Sequence, residues 1–158
     1  MGEGDETVFG AQSFIVYKLA TIFMGGVCKS VPMPGLKYDL DAMRDAVTDR
    51  TKVVFMTNPN NPTGCVVPQS EVENFVRSLP DHVVFCYDEA YTEYQENPVD
   101  LRGLVAEGRN VVCLRTFSKI YGLAGLRIGY SYSSGEIAGY LNRAREPFNV
   151  NSLAQVAA

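Results

Sequence analysis

An amine, two hydroxyls and a guanidinium lie close together in the sequence, just after a short apolar run. Thr116, Ser118 and Lys119 follow residues 111–114, and Arg127 comes after a loop that contains two glycines. A run of four apolar residues is short enough to be a buried strand. The hydroxyls and the guanidinium indicate an anion site, and the amine of Lys119 is a candidate nucleophile. The plain alternative is that Lys119 is a surface lysine.

Two further polar clusters follow strand-like runs. Residues 58–64 (Asn-Pro-Asn-Asn-Pro-Thr-Gly) follow a predicted strand at 52–57, and residues 88–91 (Asp-Glu-Ala-Tyr) follow another at 83–87. Prolines, asparagines and glycine interrupt a strand, so a shaped turn is expected after the first run. Either cluster alone also fits a simple turn or a helix cap. Because ligands in open α/β sheets bind beyond the carboxyl ends of the strands, we expect all three clusters to meet at one edge.

The elements that must position these clusters alternate between strand and helix. Apolar patterning predicts strands at 6–9, 27–31, 52–57, 83–87, 111–114 and 126–132, and helices at 12–24, 39–47, 68–79, 101–106 and 136–145. Alternating elements with continuous apolar central strands are typical of a mostly parallel sheet covered by helices on both faces. The sequence therefore predicts an α/β fold, a three-layer α/β/α sandwich with a mostly parallel mixed sheet.

Composition narrows the classes of function. The chain has 158 residues, which suits one domain, and its net charge of −4 argues against a nucleic-acid partner. No apolar run reaches the length of a membrane span. The four cysteines form no C-x-x-C pair, which favours a reducing, cytoplasmic location. A single histidine, His82, argues against a zinc site and a Ser-His-Asp triad, and we expect no metal.

One ligand needs all of the groups that these clusters offer, namely pyridoxal phosphate. Its aldehyde reacts with a lysine amine, and its ring nitrogen stays protonated beside a buried carboxylate. Its ring oxygen takes an amide and a phenol as donors, and its phosphate takes hydroxyls and a guanidinium. The matching residues are Lys119 for the aldehyde, Asp88 for the ring nitrogen, Asn61 and Tyr91 for the ring oxygen, and Ser118 and Arg127 for the phosphate.

Four motifs together extend this interpretation to a family. They are Asn-Asn-Pro-Thr-Gly (60–64), Asp-Glu-Ala-Tyr (88–91), Ser-Lys (118–119) and Leu-Ala-Gly-Leu-Arg (123–127). In this combination the chain resembles fold-type-I aminotransferases of class I/II over essentially its whole length, and most of all the histidinol-phosphate aminotransferases. The resemblance implies pyridoxal phosphate as cofactor and transfer of an amino group between histidinol phosphate, or a related amino acid, and 2-oxoglutarate. It also implies a homodimer at full length.

The resemblance assigns roles at the matching positions. Lys119, Asp88 and Tyr91 are the implied catalytic residues, with Lys119 both holding the cofactor and moving a proton. Thr116 joins the implied phosphate contacts. Phe14 falls where the family stacks an aromatic side chain on the cofactor ring, although a core phenylalanine on a helix face is the alternative.

The sequence also departs from the family pattern. The upstream segment and the C-terminal small domain, which carries the arginine that binds the substrate carboxylate, have no counterpart here. Arg115 does not replace that arginine, because strand alternation predicts that it points to the other face of the sheet. We therefore expect residues 1–158 to form one cofactor-binding core of the large domain, inactive in isolation.

Three other interpretations stay open at this point. A decarboxylase that acts on threonine phosphate resembles the same motifs and differs in the substrate contacts. A non-catalytic, truncated module is the second, although every cofactor position present has the residue that the chemistry needs. A nucleotide-binding Rossmann domain is the third, and it is disfavoured because no G-x-G-x-x-G follows the first strand.

Overall fold

The chain forms a six-stranded mixed sheet flanked by helices, as a computed structural model of residues 1–158 shows. The strands are β1 (Glu6–Gly10), β2 (Val27–Val31), β3 (Thr51–Thr57), β4 (Val84–Asp88), β5 (Val111–Thr116) and β6 (Gly129–Ser133). Their order across the sheet is β2-β1-β3-β4-β5-β6, and only the β5–β6 pair is antiparallel. The prediction of an α/β fold with a mostly parallel mixed sheet is confirmed.

Six α-helices connect or follow the strands. They are α1 (Ile15–Phe23), α2 (Leu40–Asp45), α3 (Gln69–Ser78), α4 (Arg102–Ala106), α5 (Gly135–Ala144) and α6 (Ser152–Ala157). Side-chain caps explain several starts; for example, Asp39 accepts a hydrogen bond from the Ala42 amide at the beginning of α2. No helix is both long and apolar enough to cross a membrane.

The two largest differences from the predicted boundaries have local reasons. Helix α1 begins at Ile15 instead of residue 12, because the Ser13 hydroxyl donates to the Gly10 carbonyl and closes a turn there. Strand β6 begins at Gly129 instead of residue 126, because a short 3₁₀ turn precedes it and Arg127 then adopts a left-handed backbone with φ 55°. Neither difference changes the order of the elements.

The main hydrophobic core lies between one face of the sheet and helices α2, α3 and α4. Alternate residues of each central strand point to this face, as the period of two in a strand requires. The strands contribute Val8, Val54, Met56, Phe85, Tyr87, Val111 and Cys113, and the helices contribute Met43, Val72, Phe75, Val76 and Leu104. These side chains are almost completely buried, so this face has a structural role.

The opposite face is less completely covered. Tyr17 of α1 stacks on Phe55 of β3, with ring centroids 4.7 Å apart, and Ala154 of α6 is fully buried. An apolar groove separates other strand residues of this face from α5 and is lined by Val53, Phe55, Val84, Cys86, Val112, Leu114, Ala138, Leu141 and Ala144, among others. The carboxylate of Asp88 lies on this face.

Candidate active site

The ends of three neighbouring parallel strands meet, as the sequence predicts. Strands β3, β4 and β5 are adjacent, with Thr57 paired in register with Asp88 and Asp88 with Leu114. The backbone of Asn58 continues this register by donating to the Asp88 carbonyl. The three polar clusters therefore begin at one edge of the sheet.

The loop after β3 is shaped by two buried asparagines. Asn58 donates to the Val67 carbonyl at 2.8 Å and accepts from the Val67 amide at 3.0 Å, so its side chain imitates a backbone pairing. Asn60 donates to the Gln12 carbonyl and to the Thr63 hydroxyl, each at 2.8 Å. With these two asparagines occupied in the protein interior, Asn61 is left partly exposed.

Asn61, Tyr91 and Lys119 come together although they follow three different strands. The Asn61 amide lies 3.4 Å from the Tyr91 hydroxyl and donates to it. The Lys119 Nζ atom lies 5.2 Å from the centroid of the Tyr91 ring, within the range of a cation–π contact. An exposed lysine amine is thus held above a partly buried phenol, beside an amide that can still reach a ligand.

Asp88 differs from these residues because its carboxylate is enclosed by neutral donors. The Ala90 amide donates to Oδ1 at 3.0 Å and the Tyr17 hydroxyl donates to Oδ2 at 2.7 Å. Burial raises the pKa of Asp88, whereas these two hydrogen bonds and the positive charge of Lys119 act to lower it. Asp88 forms no salt bridge, so a partly buried negative charge is available to a cationic ligand.

The remaining predicted residues are less tightly connected. The Ser118 amide donates to the Thr116 hydroxyl at 3.1 Å, which turns the chain at the end of β5. Arg127 is exposed, and its guanidinium donates to the Ala124 carbonyl at 2.7 Å without contacting Ser118 or Thr116 by a hydrogen bond. The structure therefore places Arg127 near the end of this loop and does not join it to the other residues.

Phe14 occupies the N-cap position of α1, not a helix face, so the alternative of a core phenylalanine on a helix face was wrong. Its ring is 37% exposed and meets the Tyr17 ring edge-on, with centroids 5.8 Å apart. Through Tyr17 it is one contact away from Asp88. A partly exposed aromatic ring therefore lies against the phenol that contacts Asp88.

Arg115 points away from this site, as predicted from strand alternation. Its Nε atom lies 2.5 Å from Oε2 of Glu89, and its Nη1 atom lies 3.3 Å from Oε1 of Glu93. The Tyr132 hydroxyl donates to the other Glu89 oxygen at 3.0 Å. These groups form a closed ion-pair network in which Arg115 is already neutralised, so it is not positioned to bind a carboxylate beside Lys119.

An open cleft of about 450 Å³ adjoins the amide and the phenol. Its lining consists of Pro59, Asn60, Asn61, Pro62, Gly64, Tyr91 and Tyr94. Neither Asp88 nor Lys119 lines it. The chemically distinctive groups therefore lie at the strand ends, next to this cleft.

Sequence reasoning missed Tyr17 and Thr57. The two hydroxyls are hydrogen-bonded to each other, and Tyr17 also contacts Asp88. The only available signal was the position of Tyr17, which lies three residues after Phe14 and thus on the same side of a helix. That spacing is common in amphipathic helices and does not by itself indicate a site.

With this geometry in place, comparison with known proteins identifies the family. The family model described as "Aminotransferase class I and II" matches residues 1–158. The chain belongs to the class I and II aminotransferase family. The family that its motifs resemble is confirmed.

Individual relatives agree with the family. The chain is 49% identical over 158 residues to a histidinol-phosphate aminotransferase of Moorella thermoacetica, covering 98% of this chain and 41% of the relative. It is also 49% identical over 156 residues to an aromatic amino acid aminotransferase of Mycobacteroides abscessus, covering 98% of this chain and 45% of that protein. The chain therefore spans less than half the length of these curated relatives.

A solved structure extends the likeness to three dimensions. Histidinol-phosphate aminotransferase from Sinorhizobium meliloti, crystallised in complex with pyridoxal-5'-phosphate, is similar with a TM-score of 0.93 and 30% sequence identity. The match covers 99% of this chain and 43% of that one. The fold is thus that of a pyridoxal-phosphate-dependent aminotransferase.

Proposed function

We propose that this chain forms the cofactor-binding core of an aminotransferase that moves an amino group between histidinol phosphate, or a related amino acid, and 2-oxoglutarate. Pyridoxal phosphate is the cofactor of this family. The observation that carries the proposal is the pairing of two features at one sheet edge: the buried carboxylate of Asp88, which lacks a salt bridge, and the free amine of Lys119. The named relatives support the choice of substrate.

The residues present fit this cofactor. A buried carboxylate with two neutral donors suits a protonated ring nitrogen, because an opposite charge favours its ionised form. The amide and phenol that contact each other suit the ring oxygen. We assign Asp88 to the ring nitrogen, Asn61 and Tyr91 to the ring oxygen, Lys119 to the aldehyde, Thr116, Ser118 and Arg127 to the phosphate, and Phe14 to the ring face.

Each of these residues has its own role in the proposed reaction. When bound, the cofactor draws electrons from the substrate α-carbon and so weakens its C–H bond. The Lys119 amine takes the proton from that carbon, and its contact with the Tyr91 ring limits where the amine can lie. Asp88 would hold the ring nitrogen of the cofactor in its positively charged form, and the Tyr91 hydroxyl would donate a hydrogen bond to the ring oxygen.

Covalent labelling tests the assignment of Lys119. Pyridoxal phosphate added to the full-length protein should give a yellow absorbance band, and borohydride should then fix the label on one peptide that contains Lys119. Lys119→Ala should abolish both results, whereas Lys37→Ala, which removes another exposed lysine, should change neither. Labelling spread over other lysines, with Lys119 unmodified, would contradict the proposal and favour a non-catalytic module.

Substrate assays separate the alternatives. The full-length protein should form glutamate from 2-oxoglutarate when histidinol phosphate is supplied. A strong preference for aromatic amino acids is the second candidate, since one relative of equal identity is named for that activity. Release of carbon dioxide from threonine phosphate would instead favour the decarboxylase.

The proposal also covers the cellular location and the assembly of the enzyme. All four cysteines are free, which suits a cytoplasmic location. We propose a homodimer at full length because the family resemblance implies it, and no nucleic-acid partner because the net charge is −4. We propose no membrane partner because the sequence has no apolar run of membrane-spanning length. Sedimentation of the full-length protein measures its oligomeric state.

A further inference from the structure

Asp88 is joined to a buried pair of hydroxyls that belongs to other elements. The Tyr17 hydroxyl of α1 donates to Oδ2 of Asp88 at 2.7 Å. The same oxygen of Tyr17 is hydrogen-bonded to the hydroxyl of Thr57, at the end of β3. Tyr17 has a single proton, and the carboxylate has none to give. The Thr57 hydroxyl therefore donates to Tyr17, and Tyr17 donates to Asp88.

The Tyr17 ring is held in one place. It stacks on Phe55 with an interplanar angle of 6°, and Phe14 meets its edge at 86°. Its backbone carbonyl accepts a hydrogen bond from the Thr21 hydroxyl, which in turn contacts the Thr7 hydroxyl of β1. Only 4% of Tyr17 is exposed. The phenol therefore approaches Asp88 from a fixed direction.

The surroundings of Tyr17 keep its phenol protonated, so that it remains a hydrogen-bond donor. Burial, followed by the negative charge of Asp88, raises the pKa of Tyr17 far above its ordinary value, so the phenol keeps its proton. The other groups that face Asp88 are the Ala90 amide, the Lys119 amine and the buried thiol of Cys86. Burial raises the pKa of Cys86 to about 12, which leaves that thiol neutral.

The protein occupies only some of the hydrogen-bonding positions of the Asp88 carboxylate. Each carboxylate oxygen can accept about two hydrogen bonds. Ala90 occupies one position on Oδ1, and Tyr17 occupies one on Oδ2. One position on each oxygen remains for a ligand. Without Tyr17, the carboxylate would lose the donor on Oδ2 and could rotate about its last bond.

We propose that Tyr17 is a positioning residue that holds the Asp88 carboxylate in one orientation and keeps it ionised for a cationic ring nitrogen, with Thr57 orienting the phenol. This inference rests on the proposed function for the identity of the ring. Tyr17 itself touches neither substrate nor cofactor in this proposal, and it acts only through Asp88.

The first test uses the full-length protein without cofactor. Carboxyl ¹³C resonances of labelled aspartate, with Asp88 assigned from Asp88→Asn, report its titration. Tyr17→Phe should raise the pKa of Asp88, because the ionised form loses a donor. Thr57→Val should raise it less, because the phenol stays in place. An Asp88 titration unchanged in both variants would overturn the proposal.

The second test uses the protein loaded with ¹⁵N-labelled pyridoxal phosphate. In Tyr17→Phe, the ring nitrogen resonance should move towards the neutral, unprotonated value. The kcat per loaded site should fall about tenfold, the rate equivalent of one hydrogen bond to a charged group, with little change in KM. A fall in loaded sites with an unchanged ¹⁵N resonance would mean that Tyr17 supports only the fold.

Tyr87→Phe is the matched control. Tyr87 is another buried phenol, it is hydrogen-bonded to Asn58, and it lies on the opposite face of β4 from Asp88. Its loss should lower stability without moving the Asp88 titration, and an equal shift in this variant would overturn the specific role of Tyr17.

If the wild type takes up no pyridoxal phosphate at Lys119, the proposed function fails. The cofactor-free titration still decides whether Tyr17 holds the carboxylate.

Discussion

Asp88 and Glu89 are consecutive carboxylates that leave the end of β4 on opposite faces of the sheet. Glu89 is 1% exposed and is paired with Arg115 at 2.5 Å and with the Tyr132 hydroxyl. Asp88 receives only a phenol and a backbone amide. Glu89 is neutralised within the protein, whereas Asp88 keeps a charge that only a ligand or Lys119 can offset. Their comparison separates a structural charge from a functional one.

The same difference distinguishes the two faces more generally. The face that contains Glu89 is sealed by three helices and an almost fully buried core. The face that contains Asp88 is covered by α1 near the strand end and elsewhere borders an open apolar groove. A buried charge without an ionic partner costs stability, so proteins retain such charges mainly where a ligand uses them.

The largest expected effect is the loss of the buried ion pair. Arg115→Met leaves the Glu89 carboxylate buried with only Tyr132 as a donor. We expect the free energy of unfolding to fall by about 3–5 kcal/mol, the usual cost of removing one partner of a buried pair. Denaturant titration measures it. Arg143→Met, at an exposed arginine of α5, should change stability by at most about 0.5 kcal/mol. Equal losses in both variants would contradict the comparison.

Asp88→Asn should change the free energy of unfolding in the opposite direction, when measured in the protein without cofactor. It removes a buried charge and keeps an oxygen that can accept from the Ala90 amide. We expect the free energy of unfolding at neutral pH to stay within about 1 kcal/mol of the wild type and to move upward. Affinity for pyridoxal phosphate should fall, as equilibrium dialysis would show. A loss of stability similar to that of Arg115→Met would mean that Asp88 is a structural carboxylate.

The pH dependence of that difference has a defined direction. Because the pKa of Asp88 is raised in the folded state, the folded state binds the proton more tightly than the unfolded state. Asp88 therefore has no effect on stability below its pKa in the unfolded state. As the pH rises from that value to its pKa in the folded state, ionisation of Asp88 progressively lowers the stability. The stability gap between Asp88→Asn and the wild type should be absent in acid and constant at high pH. A gap that widens in acid would contradict the direction of the shift.

The smallest effect is expected at an exposed carboxylate with its own partner. Asp100 accepts from the side chain and amide of Arg102, which lowers its pKa to about 2. The contribution of Asp100 to stability should be fully present above its pKa in the unfolded state and should be lost as the pH falls towards 2. Since the pair is exposed, Asp100→Asn should cost only about 0.2–1 kcal/mol at neutral pH. Thermal melts across this pH range should show the reverse trend from Asp88→Asn.

Much of the fold was predictable because its signals are local. Continuous apolar runs identified β3, β4 and β5, and the polar residues that end them identified the edge where the clusters meet. Strand alternation alone predicted that Arg115 points to the face of the sheet opposite the site. Boundaries were less predictable, since the Ser13 hydroxyl and the left-handed backbone at Arg127 act through single contacts that leave no periodic pattern.

The sequence by itself thus determined the chemical groups and the faces on which they lie. Only the tertiary structure decided which groups contact each other. Three asparagines share residues 58–61, and burial of Asn58 and Asn60 is what leaves Asn61 beside Tyr91. Tyr17 and Asp88 are 71 positions apart and meet because α1 packs on β3. Alternation along a strand is a property of the local backbone, whereas such contacts depend on how distant elements pack.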